Sequence, residues 1–387
     1  SAGLYMGGGG GANAPVGGGL MLRPHLDLMH DFGRFSAGIA ASHVRFPSGE
    51  IQSSQLGLQV VVPQDFEFAA PGHEGRVVEF SGSGGLGIDR MDIVVGRYGP
   101  ASGDRIALGY VGIRFYRQID SVLSATAEAA GAATGSADGY AETLAGIQAL
   151  WPLGTDSVRI GARGAVGLGG GGAVSTGGGP IAKLGLTGRL ALSPQWSLDL
   201  DAGRMRALNG DFNSPYGQLS VGMVLGKTPA RSGVAASSST VHDMEWALSL
   251  QDVLRAQRRD GSARSMSLLG LKFRRSVNEH CYLSGQAHSA INGGAGAYSA
   301  GLVGLGVNTA FASATHWSIG AEALVGAAGG GGVASRGGAI VQPMAWVSRE
   351  LGDYTHVKIG AGYVKSLRGD LSSPVIDLTW AVRFGAP

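Results

Sequence analysis

The chain contains a long internal repeat, and this repeat restricts the folds that it can adopt. The stretch near residues 105–227 recurs near 264–385 with an offset close to 159 residues. The match is clearest where 160–167 corresponds to 319–326, because a run of four glycines follows each segment within two residues. A repeat of this kind predicts an architecture built from equivalent units.

A third, partial copy opens the chain. Glycine runs at 7–11 and 17–19 stand where the later copies have their own runs. The segment 48–53 also parallels 209–214 and 368–373. The chain is therefore organised as half a unit followed by two whole units. We place these units at 1–62, 90–227 and 243–387, with linkers at 63–89 and 228–242.

Each whole unit divides into eight segments of strand length. In the last unit they lie at 244–258, 264–275, 278–292, 297–312, 314–328, 338–350, 353–366 and 373–384. The opening half unit supplies four more segments. An even number of about 20 strands with short turns is typical of membrane barrels. The sequence thus predicts an all-β fold, a single transmembrane antiparallel β-barrel spanning 1–387 with internal repeats.

The segments alternate between apolar and polar residues. In the last segment Leu378, Trp380 and Val382 share one face, while Asp377 and Arg383 lie on the other. A strand between lipid and a wet lumen must alternate in this way, and its backbone is satisfied only in a closed sheet. A soluble β-sandwich, whose outer face meets water, also alternates and is the alternative.

The alternation assigns a set of charged residues to the lumen. Two of them, Arg114 and Lys272, occupy equivalent places near the start of the two whole units. The complete set of expected lumen-facing residues is Arg114, Lys272, Arg274, Asp199, Asp201, His356, Lys358 and Arg383.

The composition excludes several other classes of protein. Charged residues make up 15% of the chain and the formal net charge is +2, which does not suit a nucleic-acid binder. Apolar runs are too short for a transmembrane helix. The lone Cys281 forms no internal disulfide and belongs to no metal or redox motif. The first residues lack the features of a signal peptide, so we expect the numbering of an exported chain to start after cleavage.

Three acidic residues recur in equivalent loops, namely Glu50, Asp211 and Asp370. Each follows a glycine and precedes serine by two or three residues. We expect these loops at the outer mouth of the barrel. Turn chemistry explains the pattern, because Asp, Asn, Gly and Ser favour tight turns. Binding of a cation or of sugar hydroxyls at the mouth is the functional alternative.

The glycine runs do not form a phosphate-binding loop. Only Gly226-Lys227-Thr228 offers the Lys-Thr ending, and there it ends a strand instead of opening a helix. With 69 glycines in 387 residues, roughly 18% against about 7% on average, the runs need a structural reason. Glycine in strands marks bends or the close approach of another backbone. A smooth track for a polymer is the functional alternative.

No constellation of residues supports an enzyme. The chain has no GxSxG and no HExxH sequence, and its nine histidines are scattered. We therefore expect neither catalysis nor a bound metal or other cofactor. A lipid-modifying enzyme embedded in the membrane is disfavoured because no acid, base and nucleophile recur together.

The C-terminal pattern Leu378-x-Trp380-x-Val382-x-Phe384 resembles the terminal strand signal of bacterial outer-membrane β-barrel proteins, with Phe384 as the terminal aromatic residue. This resemblance to porin-like or exporter-like barrels implies a place in the bacterial outer membrane, among its lipids and lipopolysaccharide. It also implies periplasmic termini and periplasmic turns at 193–195 and 350–353, with the glycine-run hairpins at 13–19, 173–179 and 333–338 outside. The long linkers then separate distinct sheets or dock a periplasmic partner.

The function expected from the sequence is a passive pore for polar solutes or an exported polymer. One alternative is an exopolysaccharide-secretion barrel. Another is a structural surface or lattice protein that packs through its glycine-rich strands. A homo-oligomer and a periplasmic partner both stay open, whereas nucleic acid is not expected.

Overall fold

The computed structural model describes residues 1–11, 14–63, 68–80, 88–99, 107–225, 237–311 and 315–386. Within these ranges the regular secondary structure consists of β-strands, and every strand pair is antiparallel. The all-β, antiparallel class predicted from the alternation is therefore confirmed.

The opening half unit forms an open sheet of four strands, here called the N-terminal sheet. Its strands, in spatial order, are β1 (Ala2–Gly8), β2 (Leu20–Asp31), β3 (Ser36–Arg45) and β4 (Gln52–Val61). In the other units, many strands have alternate residues buried. By contrast, β4 is exposed on both faces, and Leu58 is 90% exposed.

The second unit forms a closed barrel of eight strands, the first barrel. Its strands are β6 (Arg90–Tyr98), β7 (Leu108–Gln118), β8 (Leu123–Thr134), β9 (Ala141–Leu153), β10 (Thr155–Gly170), β11 (Pro180–Ala191), β12 (Trp196–Ala207) and β13 (Asn213–Val224). Consecutive strands pair, and β13 closes the ring by pairing with β6.

The third unit forms a second closed barrel of eight strands. Its strands are β15 (His242–Gln257), β16 (Ala263–Ser276), β17 (Cys281–Ala290), β18 (Ser299–Asn308), β19 (Trp317–Gly329), β20 (Ala339–Glu350), β21 (Thr355–Ser366) and β22 (Ser372–Ala386). The ring closes where β22 pairs with β15 over twelve residues.

The expectation of one continuous barrel of about 20 strands is corrected by this topology. The units of four, eight and eight strands are present, but each whole unit closes on itself. The reason is that the first and last strands of a unit are register-matched edges, so pairing them removes both exposed edges at once. The linkers thus separate distinct sheets.

The two linkers also pair with each other. β5 (Val77–Phe80) lies antiparallel to β14 (Ser237–Thr240), which ties together the chain that enters the first barrel and the chain that leaves it. Residues 64–67, 81–87 and 226–236 of the linker regions, including Gly226-Lys227-Thr228, lie outside the described residues.

Both barrels have an inverted polarity, with apolar residues outside and polar residues inside. On β11, Leu184 and Leu186 are exposed, whereas Lys183 on the opposite face of the same strand is buried inside the barrel. On β12, Leu200 is exposed while Asp199 and Asp201 are buried. A water-soluble barrel has the opposite arrangement, because burial of apolar surface drives its folding.

Each barrel has two distinct ends. At the glycine end, the β10–β11 and β19–β20 hairpins use the same left-handed turn, with φ of 93° at Gly171 and at Gly330. Only glycine adopts this conformation freely, which explains part of the repeated run. The acidic loops lie at this end, since Phe212 N donates to Ser175 O and Leu371 N donates to Ala334 O. The opposite end, next to the linkers, is the linker end.

Candidate functional site: the polar barrel interiors

Lys183 is at the centre of the first barrel. Its ammonium group lies 3.1 Å from Glu128 Oε1 and 3.0 Å from Glu142 Oε1. It also donates to Tyr110 Oη at 3.2 Å and to Gln218 Oε1 at 3.3 Å. All of these groups are buried, so the cation is neutralised and hydrogen-bonded within the barrel.

Arg114 continues the network toward the linker end. Its Nε lies 2.6 Å from Glu128 Oε2, and its second terminal nitrogen lies 2.8 Å from Asp201 Oδ2. It also donates to the Tyr116 hydroxyl at 2.9 Å. The guanidinium is fully buried, and its planar donors match two carboxylates on different strands. Arg114 therefore joins opposite sides of the barrel wall.

A third set of ion pairs fills the linker end of the first barrel. Arg90 lies 2.8 Å from Asp199 Oδ1 and also contacts Asp92, and Arg189 lies 2.8 Å from Asp199 Oδ2. Within the described interior, five cations therefore meet five carboxylates. They are Arg90, Arg114, Arg163, Lys183 and Arg189, with Asp92, Glu128, Glu142, Asp199 and Asp201. Side chains thus occupy the centre of this barrel.

The interior of the second barrel is organised around two carboxylates. Glu245 forms an ion pair with Lys358 and lies 3.1 Å from His356 Nε2 and 3.8 Å from Arg274. Deeper inside, Asp377 lies 2.6 Å from Lys272 Nζ.

Ser249 connects Asp377 to a buried histidine. Its hydroxyl donates to Asp377 Oδ1 at 2.5 Å and lies 3.0 Å from His288 Nε2. Thr379 also donates to Asp377, at 2.7 Å. The carboxylate is therefore held by one lysine and two hydroxyl groups, which fixes its position on the wall of the second barrel.

A vestibule opens into the second barrel from the linker end. Its volume is about 890 Å³, and it is lined by polar groups that include Glu245, Arg274, His356 and Lys358. Beyond it, a void of only about 20 Å³ remains between Glu245 and Met344. The vestibule is therefore a blind funnel with charges of both signs on its wall.

The linker borders the mouth of this vestibule. Residues 70–72 and Glu74 line it, and Glu74 accepts a hydrogen bond from the amide of Asp243 at 2.6 Å. Ala69 pairs with Gly385 at the end of β22. The linker segment is therefore fixed to the rim of the second barrel by backbone and side-chain contacts.

Apolar clusters close the glycine end of both barrels. In the first barrel this cluster includes Leu108, Leu144 and Ile181, and in the second it includes Leu302 and Leu324. The side chains are almost fully buried inside the ring. An eight-stranded barrel has an interior only wide enough for side chains, so these clusters seal the axis. The wide aqueous lumen expected for about 20 strands is therefore not formed.

The structure places the eight predicted lumen-facing residues on interior or rim positions of two separate barrels. Arg114, Asp199 and Asp201 lie in the first barrel, and the other five lie in the second. Arg383 is at the rim, where it contacts Glu350 at 2.5 Å. The residues do not line one common lumen.

Several interior residues were missed from the sequence. Glu128 lies in an alanine-rich strand that has little amphipathic contrast, and Lys183 stands between Ala182 and Leu184, soon after a glycine run. The signal that could have found them is the same alternation applied to β8, β9 and β11. The ionic residues that were missed are Arg90, Asp92, Glu128, Glu142, Arg163, Lys183, Arg189, Glu245 and Glu322. Asp377 was placed on the polar face of its strand but was not counted among the lumen-facing residues.

The three acidic loop residues stay apart. Glu50, Asp211 and Asp370 are exposed, and each belongs to a hairpin of a different unit. No group of three or more His, Cys, Asp or Glu side chains able to hold a metal occurs in the described ranges. The cation-binding interpretation gains no convergent ligand set from these loops.

Comparison with known proteins gives no family for the chain. No family model matches it, and no curated protein matches it in sequence. In the part of the chain that is described, no helix is long and apolar enough to cross a membrane.

The solved structures that it matches include outer-membrane proteins. OpdQ of Pseudomonas aeruginosa is 11% identical, with 95% of this chain and 92% of that chain covered and a TM-score of 0.26. The NanC porin is 6% identical, with 76% and 98% covered and a TM-score of 0.21. A bacterial polysaccharide outer membrane secretin is 12% identical, with 77% and 98% covered and a TM-score of 0.22. TM-scores this low carry no argument about this chain.

The fold and the interiors themselves define the class. The protein is an antiparallel β-barrel protein with two tandem closed barrels, each apolar outside and ionic inside.

Proposed function

We propose that this protein resides in the bacterial outer membrane and gives small polar solutes a narrow route through its second barrel. The observation that carries the proposal is the charged vestibule of about 890 Å³ in that barrel. The equivalent part of the first barrel is filled by ion-paired side chains of Arg90, Asp199 and Arg189.

The inverted polarity supports the membrane location. In lipid, backbone groups must be paired within a closed ring, and outward side chains must be apolar. Both rings are closed, and most of the large side chains exposed along their strands are apolar, although Arg204 and Arg206 near the glycine end of β12 are also exposed. Exposed tryptophans also gather near the linker end, where an interfacial aromatic girdle would lie. They are Trp151, Trp196, Trp246, Trp317 and Trp380.

The diameter of the barrels restricts the cargo. Eight strands leave space for side chains or for one small ligand, but not for a polymer chain. Small ions and solutes therefore fit this proposal better than an exported polysaccharide. Passage also requires the apolar cluster around Leu302 and Leu324 to open, since it closes the axis beyond the vestibule.

The second candidate is a structural surface protein with no conductance. It is favoured by a specific observation: glycine-rich segments of neighbouring units are packed backbone to backbone, as at Gly329 and Gly139. On this alternative, both sealed barrels act as membrane-embedded building blocks.

Single-channel recording of the full chain in a planar bilayer distinguishes the two candidates. We expect small conductance steps that grow when the seal of the second barrel is weakened by Leu302→Ser. The matched control is Leu144→Ser, because Leu144 is the equivalent residue in the filled first barrel. Insertion with no conductance in either variant would favour the structural protein. Failure of the folded chain to enter lipid would overturn the membrane location.

A further inference from the structure

The second barrel packs against the first barrel through a defined pair of surfaces. Three contacts describe it: Gly329 with Gly139, Gly338 with the carbonyl of Ala132, and Ala327 with Gly131. A Cβ atom on Gly329 would overlap the amide nitrogen of Gly139. The first barrel contributes the tip of β8 and the loop after it, and the second contributes the end of β19 with its glycine hairpin.

The same pair of surfaces occurs again between the N-terminal sheet and the second barrel. Here Gly10 meets Ala297, Gly19 meets the carbonyl of Ala290, and Gly8 meets Ser289. These are the repeat equivalents of the three contacts above. Gly296 N also donates to Gly17 O at 3.1 Å across this interface. We call the surface around Gly131, Ala132 and Gly139, and its equivalents, the β8-type surface. The surface around Ala327, Gly329 and Gly338, and its equivalents, is the β19-type surface.

The units are thus joined head to tail, because the β8-type surface of one unit contacts the β19-type surface of the next.

A third β19-type surface, on the first barrel, has no such contacts. The residues equivalent to Gly10 and Gly19 are Gly170 and Gly179, and their nearest neighbours are Thr176 and Gly169 of their own barrel. Leu168, equivalent to Gly8 and Ala327, is 64% exposed. Among the described residues, the other two β19-type surfaces are each covered by a β8-type surface, and this one is not.

The N-terminal sheet lacks the complementary half of a barrel. β1 pairs with β2 and β4 pairs with β3, and in the described structure their other edges have no partner strand. These four strands correspond to β10–β13, and the strands equivalent to β6–β9 would carry the missing β8-type surface. Open strand edges are a template for pairing, and in lipid their unpaired groups are costly.

The geometry points to one docking site made from these two features. We propose that a four-stranded segment with the polarity pattern of β6–β9 pairs with the free edges of β1 and β4, closes a third eight-stranded barrel, and seats its β8-type surface on Gly170 and Gly179. Three barrels then form a ring, because each uses one surface of each type. Because Leu168 is larger than its equivalents Gly8 and Ala327, the residue opposite it in the segment must be a glycine, as Gly131 is opposite Ala327.

A shared cavity supports the ring. A space of about 2560 Å³ is lined by Gly10 of the N-terminal sheet, by 169–172 of the first barrel and by 329–332 of the second. Equivalent outer faces of the two barrels also border it, for example at Met91 and Trp246. Head-to-tail contacts form a closed ring when the rotation closes, and equivalent faces then surround the axis.

The test places a second copy of residues 90–154 before Ser1 of the full chain, in a Cys281→Ser background. Leu168→Cys is combined with Gly131→Cys in the added copy only. The control pair is Gly131→Cys with Ala327→Cys in the unextended chain, where the Gly131 and Ala327 Cβ positions lie 3.4 Å apart. Disulfide formation in lipid and proteolysis of β1–β4 are measured.

We expect the added copy to cross-link to Leu168→Cys as completely as the control pair, and β1–β4 to lose their protease cleavage. The proposal would be overturned if the control pair forms its disulfide while the Leu168 pair stays reduced and β1–β4 stay cleavable. The unextended chain is examined in parallel by mass in detergent. A dimer that joins β4 of one copy to β1 of another would also overturn it, because the occupant would be a second copy. Neither measurement depends on solute passage.

Discussion

The two barrels share their strand order and their turns but differ in how they are filled. At the centre of the first barrel stand Lys183, Glu128 and Glu142. The equivalent positions of the second barrel hold Gln342, Gln286 and Ala300. The interior ionic groups fall from five of each sign to three of each sign, the latter being Lys272, Arg274, Lys358, Glu245, Glu322 and Asp377. Charges have thus been exchanged in balanced numbers.

The balance follows from the cost of burying charge. An isolated ion inside a barrel loses its hydration, so an ion is kept with its partner or removed with it. Two further exchanges replace ionic residues of the first barrel by small ones. Arg189 and Asp201 of the first barrel correspond to Ser348 and Gly360 of the second. Of these two smaller residues, Gly360 borders the void of about 20 Å³ that lies beyond the vestibule.

The largest expected effect is on the centre of the first barrel. Lys183→Met leaves Glu128 and Glu142 without their common cation, and breaking a buried ion pair in this way costs about 3–5 kcal/mol. We expect the free energy of unfolding of the first barrel, measured by urea titration in micelles, to fall by that amount.

The matched control removes ionic groups from the first barrel in balanced numbers. It combines Lys183→Gln, Glu128→Gln and Glu142→Ala with Arg163→Gln, so that two cations and two carboxylates leave together. We expect this variant to be markedly more stable than Lys183→Met alone. Equal instability of the two variants would refute the view that balance, and not the number of ion pairs, governs the interiors.

A smaller effect is expected at the interface between the barrels. Gly329→Leu forces a side chain into the backbone of Gly139, and overpacking of this kind costs about 1–3 kcal/mol. We expect cross-linking between the barrels to decrease, measured with the Gly131→Cys and Ala327→Cys pair. The equivalent change Gly170→Leu meets no other unit and should leave that cross-link unchanged. A decrease of the cross-link in both variants would mean that leucine disrupts the glycine hairpins themselves, and not the contact between the barrels.

The smallest effect concerns a turn at the linker end. Asp120 accepts hydrogen bonds from the amides of Val122 and Leu123, and these bonds lower its pKa. The second barrel has Asn278 at the equivalent position, where its side-chain oxygen accepts hydrogen bonds from the amides of His280 and Cys281. The amide side chain of Asn278 carries no acidic proton that titrates with Asp120. A depressed pKa stabilises the fold above the unfolded pKa, and this stability is lost as the pH falls through the folded pKa.

We therefore expect acid to loosen the β7–β8 turn, measured by amide hydrogen exchange, before the β16–β17 turn. Asp120→Asn should remove the difference between the two turns. Persistence of the difference in that variant would assign the acid sensitivity to another group.

The sequence predicted the strands well because alternation is a local property. Lys272 and Lys358 were placed on the polar face from their immediate neighbours alone. Closure is not local: whether β13 pairs with β6 or continues into β15 depends on which edges meet, and alternation does not encode this. Glu128 was missed because the alanines around it differ little between the two faces of β8. The vestibule is lined from six strands of the second barrel and from the linker, so it depends on side chains that are far apart in the sequence.

The pairing of the two linkers has a consequence for how such a chain changes over generations. β5 and β14 hold the entry and the exit of the first barrel side by side, and Leu225 N donates to Asp89 O at 2.9 Å where the barrel begins and ends. Segments with adjacent ends can be inserted or deleted without distorting what surrounds them. We therefore expect the first barrel to behave as an insertable unit, whose deletion or duplication leaves the neighbouring sheets undistorted.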